Sequence, residues 1–332
     1  MQYKSIKKEK WDKTLEELLL SFNIFASVEN EFGIDYEVID PQNIGRISYN
    51  KAKPATPLKT FFLPVRENVT SGITGHKKRI ILGITNCDVE ALKLLDEIYL
   101  DKEFTDIHYK NRREDTILIS SDCITVNEQC HCMSYGVNPY STSIADIALL
   151  YHDGMIIMRI LTAKGEDLLK TIAAPPTAEE VNIISLLDEV HKSTETLLTR
   201  NNQGLPGYSE TGKLVKRAAA DIWEKYATKC VSCAACVTIC PTCSCFLLID
   251  KPGFEKLKQM DGCQYPGFER VAGGEDPLHE SHVRFRNRFM CKYDWRPKKF
   301  SAVACTGCGR CIEACIGHIS KNRIFMEMAE DK

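Results

Sequence analysis

The sequence predicts an α/β domain over residues 1–205 followed by a smaller α+β domain over residues 206–332, and three observations carry that expectation. Apolar β-branched runs flank an amphipathic stretch between Arg79 and Ser121. A segment rich in Gly, Pro and Asn interrupts the chain at Arg200–Lys213. Beyond it, one cysteine spacing occurs twice. At 332 residues the chain is long enough for two domains that each bury a core.

The opening segment Trp11–Val28 places Leu15, Leu18, Leu19 and Phe22 at helical spacing. Arg79–Thr85 (RIILGIT), Thr116–Ser121 (TILISS) and Met155–Thr162 (MIIMRILT) read as strands. Between the first two, Asp88–Leu100 reads as a helix with Asp88 as candidate N-cap. Strand, helix and strand in so short a span suggest a crossover unit and an at least partly parallel sheet. Glu179–Leu198 is a further helix, charged on one face. Arg200–Lys213 (RNNQGLPGYSETGK) reads as an interdomain linker, with a surface loop as the alternative, and Leu214–Thr228 as a helix leading into the first cysteine motif. Residues 246–304 form a long insertion between the two motifs.

Hydrophobic content of 44% and charged content of 27% are those of a soluble globular protein. A net charge of −2 gives no global electrostatic argument for nucleic acid. No apolar run reaches bilayer length, and no apolar stretch of signal-peptide type follows the basic N-terminus. The expectation is a cytoplasmic protein with neither a membrane nor a nucleic-acid partner. That makes the sixteen cysteines informative, because disulfides are rare in such a compartment. Four lie between Cys87 and Cys132 and twelve between Cys230 and Cys315. Clustering of this kind in a cytosolic chain points to metal.

The two motifs are Cys230-Val-Ser-Cys233-Ala-Ala-Cys236-Val-Thr-Ile-Cys240-Pro and Cys305-Thr-Gly-Cys308-Gly-Arg-Cys311-Ile-Glu-Ala-Cys315. Three closely spaced thiolates can converge on three irons of one cubane, and the fourth cysteine reaches the neighbouring cluster in two-cluster ferredoxins. Cys230, Cys233, Cys236 and Cys315 are therefore expected to bind one [4Fe-4S] cluster, and Cys305, Cys308, Cys311 and Cys240 a second. Structural zinc uses separated C-x2-C pairs, and the third cysteine present in each motif is surplus to a four-ligand ion. The domain is expected to be ferredoxin-like. Cys315 is followed by Ile316 where Cys240 is followed by Pro241, so the surroundings of the second cluster can differ. A cubane with four cysteine ligands has no open iron, so its work is outer-sphere electron transfer and no catalytic residue is assigned.

Cys87, Cys123, Cys130 and Cys132 form a weaker constellation. Cys87 and Cys123 each follow a predicted strand, and parallel neighbouring strands would bring both thiols to one sheet edge. Spacing alone leaves a third cluster, scattered structural thiols and a redox disulfide all open. Cys243, Cys245 and Cys263 could ligate another cluster, exchange with the third site or pack against a cluster, the last being the default; Cys291 has no patterned neighbour. In the insertion, Arg284, Arg286, Arg288 and Lys292 alternate with Phe285, Phe289, Tyr293 and Trp295. Such interleaving can mark a single-strand nucleic-acid surface. Cationic cover for anionic clusters, or a docking face, suits this slightly acidic chain better, with a solvated helix as the plain alternative.

From about Arg79 onward the sequence resembles the iron–sulfur (beta) subunit of cytosolic sulfhydrogenases, which are multi-subunit [NiFe] hydrogenases. It is equally similar to the A subunit of anaerobic sulfite reductases. The resemblance rests on Asn86-Cys87-Asp88-Val-Glu-Ala-Leu-Lys-Leu-Leu-Asp96, on Cys130-His-Cys132-Met-Ser-Tyr-Gly136, on Cys240-Pro-Thr-Cys243-Ser-Cys245-Phe, on Cys263 with Gly267-Phe268, on Ala272-Gly-Gly274 and on Arg284–Lys292. His131 stands where the family usually has Phe. The resemblance implies a third [4Fe-4S] cluster on Cys87, Cys123, Cys130 and Cys132. It also implies a place in a chain of carriers, between a flavin subunit that exchanges electrons with NAD(P)H and a separate catalytic subunit. That subunit would hold a [NiFe] centre in one branch of the family and sirohaem in the other. No G-x-G-x-x-G follows a strand here, so this chain supplies no dinucleotide site of its own. A competing reading makes the chain an enzyme with an open iron in the first domain, arising from His131 or a missing cysteine ligand.

Overall fold

The computed structural model describes residues 2–71, 77–172 and 180–330. The first half contributes strands β1 (Gln2–Lys7), β2 (Asn23–Asn30), β3 (Gly33–Val38), β4 (Arg66–Asn68), β5 (Arg79–Ile84), β6 (Thr116–Ser121), β7 (Ile147–His152) and β8 (Met155–Ile160). All but β4 join one sheet in the order β1-β8-β7-β6-β5-β2-β3. Its centre, β2, β5, β6 and β7, is parallel, and antiparallel strands finish both flanks. Central parallel strands are covered on both faces, which is why every residue of β6 and all of β5 after Arg79 are buried rather than alternating in and out.

Helices α1 (Lys8–Leu19), α2 (Asn86–Tyr99), α3 (Ile107–Glu114), α4 (Ala163–Lys170) and α5 (Glu180–Asn201) accompany the sheet. α1 buries Trp11, Leu15 and Leu18 in the core on one face, and α2 buries Val89, Leu92 and Leu95 in the core on the other. The helix expected over Trp11–Val28 stops at Leu19, and its second half is β2. Ile24, Ala26 and Val28 alternate, are fully buried, and sit beside β5; that period of two overrides the helical spacing further upstream. α2 starts two residues before the expected cap: Thr85 is the N-cap, and Asp88 lies buried in the first turn. The expected start of the next helix, Glu179, lies outside the described residues.

The second half contributes α6 (Tyr208–Arg217), α7 (Ala220–Ala227), α8 (Ala235–Thr238), β9 (Phe246–Lys251), β10 (Glu255–Met260), α9 (Ser281–Met290), a π-helical turn at Cys291–Trp295, α10 (Arg296–Lys299), α11 (Arg310–Glu313) and α12 (Lys321–Glu330). The segment expected to be a linker is helical at both ends, leaving only residues 202–207 between α5 and α6. Gly212 there is a contact point: a Cβ at that position would fall 2.4 Å from the Tyr293 carbonyl oxygen, so glycine lets α6 touch the π-turn. The single helix expected over Leu214–Thr228 breaks at Ala218–Ala219, whose backbone is extended.

The two halves share cores. Tyr135 joins Leu214, Val215, Trp223, Phe285, Phe289, Tyr293 and Phe325 in one apolar cluster, and Leu94 meets Ala302 and Ala304 in another. β9 and β10 form a small sheet completed by β4 of the first half. Lys258 of β10 bonds Asp106 and Glu67 across that junction. Among the described residues no helix is long and apolar enough to cross a membrane.

Candidate metal centres

β5 and β6 are parallel neighbours, so the chain leaves both at the same edge of the sheet. Cys87 follows β5 in the first turn of α2, its sulfur 3.2 Å from Thr85 Oγ1, and Cys123 follows β6. The loop after Cys123 folds back. As a result Cys87, Cys123, Cys130 and Cys132 line one cavity, with Val126, Leu198, Lys53, Gly307 and Cys308 among its other walls. Lys53 Nζ lies 3.6 Å from Cys130 Sγ and 2.7 Å from Glu313.

His131 takes no part in that lining. Its ring is fully buried; Nδ1–H donates to the Gln129 carbonyl at 2.8 Å, and Nε2 accepts from Lys321 Nζ at 2.7 Å. Burial, reinforced by the Lys321 charge, holds its pKa well below the usual histidine value, so the ring is neutral. With both nitrogens engaged, the geometry gives no support to histidine ligation in this cavity.

The two C-terminal motifs repeat in structure as well as in spacing. Ser232 and Ala234 in the first, and Gly307 and Gly309 in the second, all have φ between +53° and +77°. Such left-handed residues turn successive N–H groups into a concave, anion-accepting nest. A short helix lies within each motif, α8 and α11, carrying Cys236 and Cys311, and these two touch. The first motif surrounds a cavity lined by Cys230, Cys233, Cys236 and Cys315, with Cys311 also reaching it. Cys240 instead lies beside the start of the second motif: Lys292 Nζ donates to Cys240 Sγ at 3.1 Å and to the Ala304 carbonyl at 3.1 Å. Each fourth cysteine is thus found at the other motif's end of the domain.

Glycine in the second motif has a steric reason. A Cβ on Gly307 would fall 2.6 Å from Cys132 Cα and from the His131 carbonyl oxygen, and one on Gly309 would fall 2.4 Å from the Gln129 oxygen. The His131 amide donates to the Gly307 carbonyl at 2.9 Å. The second motif therefore docks directly on the loop carrying Cys130 and Cys132, and Cys308 lines the cavity of Cys87, Cys123, Cys130 and Cys132.

The basic, aromatic stretch of the insertion divides its faces. Phe285, Phe289 and Tyr293 enter the core, while Arg288 and Lys292 are buried toward the thiols. Arg288 interacts with Cys236 and Cys311, and Lys292 with Cys240 and Cys243. Burial opposes both charges, yet the neighbouring sulfurs more than offset it and raise both pKa values. Arg288 and Lys292 are thus buried cations beside the thiols rather than members of a solvated face.

Burial pushes the thiols of Cys87, Cys132 and Cys236 up to about 12. Cys240 is the opposite case: a hydrogen bond from Cys243, together with Lys292, Arg288 and Lys59, holds it well below an ordinary thiol. Among the described residues no group of three or more His, Cys, Asp or Glu side chains is placed to hold a single metal ion. The sulfurs stand around cavities, and an all-thiol donor set suits an iron–sulfur cluster.

Comparison with known proteins agrees. A 4Fe-4S dicluster domain matches residues 229–319. The chain is 25% identical over 344 residues to sulfhydrogenase 2 subunit beta of Pyrococcus furiosus, an alignment that covers 99% of each protein. The family resemblance carried by the cysteine motifs is borne out: this is an iron–sulfur protein with a [4Fe-4S] dicluster domain, related along nearly its whole length to a sulfhydrogenase beta subunit.

Proposed function

We propose that this chain is the electron-relay subunit of a soluble, cytoplasmic oxidoreductase complex. It would stand between a flavin subunit that exchanges electrons with NAD(P)H and a catalytic subunit of [NiFe] hydrogenase type. The observation that carries this reading is the way the second motif bridges the thiol cavities. Cys308 lines the cavity of Cys87, Cys123, Cys130 and Cys132, and Cys311 lines that of Cys230, Cys233, Cys236 and Cys315. In this reading the second ligand set stands between the other two.

In this proposal Cys230, Cys233, Cys236 and Cys315 hold a first [4Fe-4S] cluster in a ferredoxin-like domain. Cys305, Cys308, Cys311 and Cys240 hold a second, and Cys87, Cys123, Cys130 and Cys132 a third. When bound, such clusters supply one-electron, outer-sphere transfer. The protein's own part is to seat them close together, exclude water with Leu198, Phe285 and Phe289, and offset their charge with Lys53, Arg288 and Lys292.

Anaerobic isolation of the native complex tests the proposal. Co-purifying nickel and flavin, with dye reduction but no substrate turnover by the isolated chain, is the expected result. Sirohaem in place of nickel would assign the chain to the sulfite reductase branch. An iron content near zero with one or two zincs would overturn the relay altogether. Replacing Cys87 by Ser should remove about four irons and leave the dicluster domain loaded.

A further inference from the structure

Four thiols lie outside the three sets just described, and the fold gathers them from three segments. The Asp261 amide donates to the Cys245 carbonyl at 3.1 Å, and Gln264 Nε2 donates to the Arg284 carbonyl at 2.8 Å. Arg296 donates to the Thr242 carbonyl and to Ser244 Oγ. These bonds tie residues 242–245, residues 261–264 and the helical run 284–296 together at the base of the β9–β10 hairpin. Cys245, Cys263 and Cys291 are close enough to interact with one another, and Arg296 feels Cys291, Cys243 and Cys245 together.

The charges around them lack carboxylates. Lys59, Arg288 and Lys292 are buried, and Arg296 is covered in large part; among the described residues none of the four forms an ion pair with Asp or Glu. Arg288 Nε is buried without any hydrogen-bond partner. Buried cations without counter-charges are costly. The two clusters of the dicluster domain would account for some of that charge, but Arg296 also faces Cys291, Cys243 and Cys245, and Lys59 faces Cys243 and Cys245 as well as Cys240.

We infer that Cys243, Cys245, Cys263 and Cys291 ligate a fourth [4Fe-4S] cluster, set beside the second one through the adjacent cysteines Cys240 and Cys243. Each thiol gives its proton to solvent as its Fe–S bond forms, and the site's net negative charge falls among Lys59, Arg288, Lys292 and Arg296. A cubane fits better than zinc because the four sulfurs do not converge on one ion position. The position makes the relay branch rather than run as a single line. It also gives Cys291, which carries no patterned neighbour in the sequence, a partner in space.

Iron and sulfide analysis of the full chain, with native mass spectrometry, tests this. After anaerobic reconstitution the wild type should hold about 16 irons, and Cys263→Ser and Cys291→Ser should each lose about four. Cys87→Ser should lose a separate four, so failure of the third site and failure of this one are read by different variants. Unchanged iron in Cys263→Ser and Cys291→Ser overturns the fourth site whatever Cys87→Ser does. If those variants do not fold, the wild-type mass decides: four clusters support the assignment. Zinc in place of the fourth cluster, or a fully loaded chain with three clusters or fewer, overturns it.

Discussion

Asp88 and Arg310, 222 residues apart, form a fully buried bidentate ion pair, with Nη1 2.8 Å from Oδ1 and Nη2 2.6 Å from Oδ2. Arg310 Nε also donates to the Pro54 carbonyl at 2.8 Å. Asp88 follows Cys87 and Arg310 precedes Cys311, so the pair clamps the thiol group of the first half onto the second motif. Removing one partner of such a pair leaves a bare buried charge.

Arg310→Ala should therefore destabilise the protein by about 3–5 kcal/mol, whereas Arg310→Met with Asp88→Leu should recover most of that. Chemical denaturation of the reconstituted chain, carried through the double-mutant cycle, measures both. Equal stability of the single and double variants would show that the pair is not the clamp.

Gly307 sits at φ +68° with no room for a side chain. Gly307→Ala must push the second motif away from Cys132 and His131 and force an L-residue into the left-handed region, which alone costs about 1–2 kcal/mol. The expected result is slower electron passage between the thiol group of the first half and the dicluster domain, with iron content retained at Cys230, Cys233 and Cys236. Stopped-flow reduction followed by freeze-quench EPR checks it.

How much of this was legible in the sequence depends on whether the signal was local. The repeat around Cys230 and Cys305 is a fixed spacing within eleven residues, so the dicluster domain that matches residues 229–319 could be expected at once. The parallel pairing of β5 with β6 was legible for a similar reason, through the strand–helix–strand pattern. By contrast, β2 was hidden because Phe22 and the helical spacing before it masked a period of two in Ile24, Ala26 and Val28. The Asp88–Arg310 pair and the approach of Cys291 to Cys245 and Cys263 join residues far apart in the chain. Only folding makes neighbours of such residues, and no periodicity records them.

Lys292 Nζ touches Cys240 Sγ, and a cation there favours the reduced, more negative form of a bound cluster. Lys292→Met should therefore lower the reduction potential of the second cluster, by on the order of 100 mV for a unit charge at this range and an effective dielectric near 20. An EPR-monitored redox titration reads the shift. The cluster proposed for Cys230 and its neighbours should move less. A potential that rises or stays put would remove Lys292 from the tuning of this site.

His131 provides a test with a pH signature. The ring is buried and neutral, with a folded pKa held well below the unfolded value of about 6.5. Below that value the unfolded chain binds a proton that the native chain refuses, so stability falls as the pH drops, by up to about 1.4 kcal/mol per pH unit for this one group. His131→Phe should abolish that contribution, flattening stability between pH 5.5 and 6.5 on denaturation curves. At pH 7.5 the same variant should be weaker by about 1–3 kcal/mol, because Lys321 loses an acceptor while buried. Its iron content should match the wild type, since the ring lies outside the cavity of Cys87, Cys123, Cys130 and Cys132. Loss of about four irons would instead make His131 a ligand and revive the reading of an altered, substrate-accessible iron in the first half of the chain.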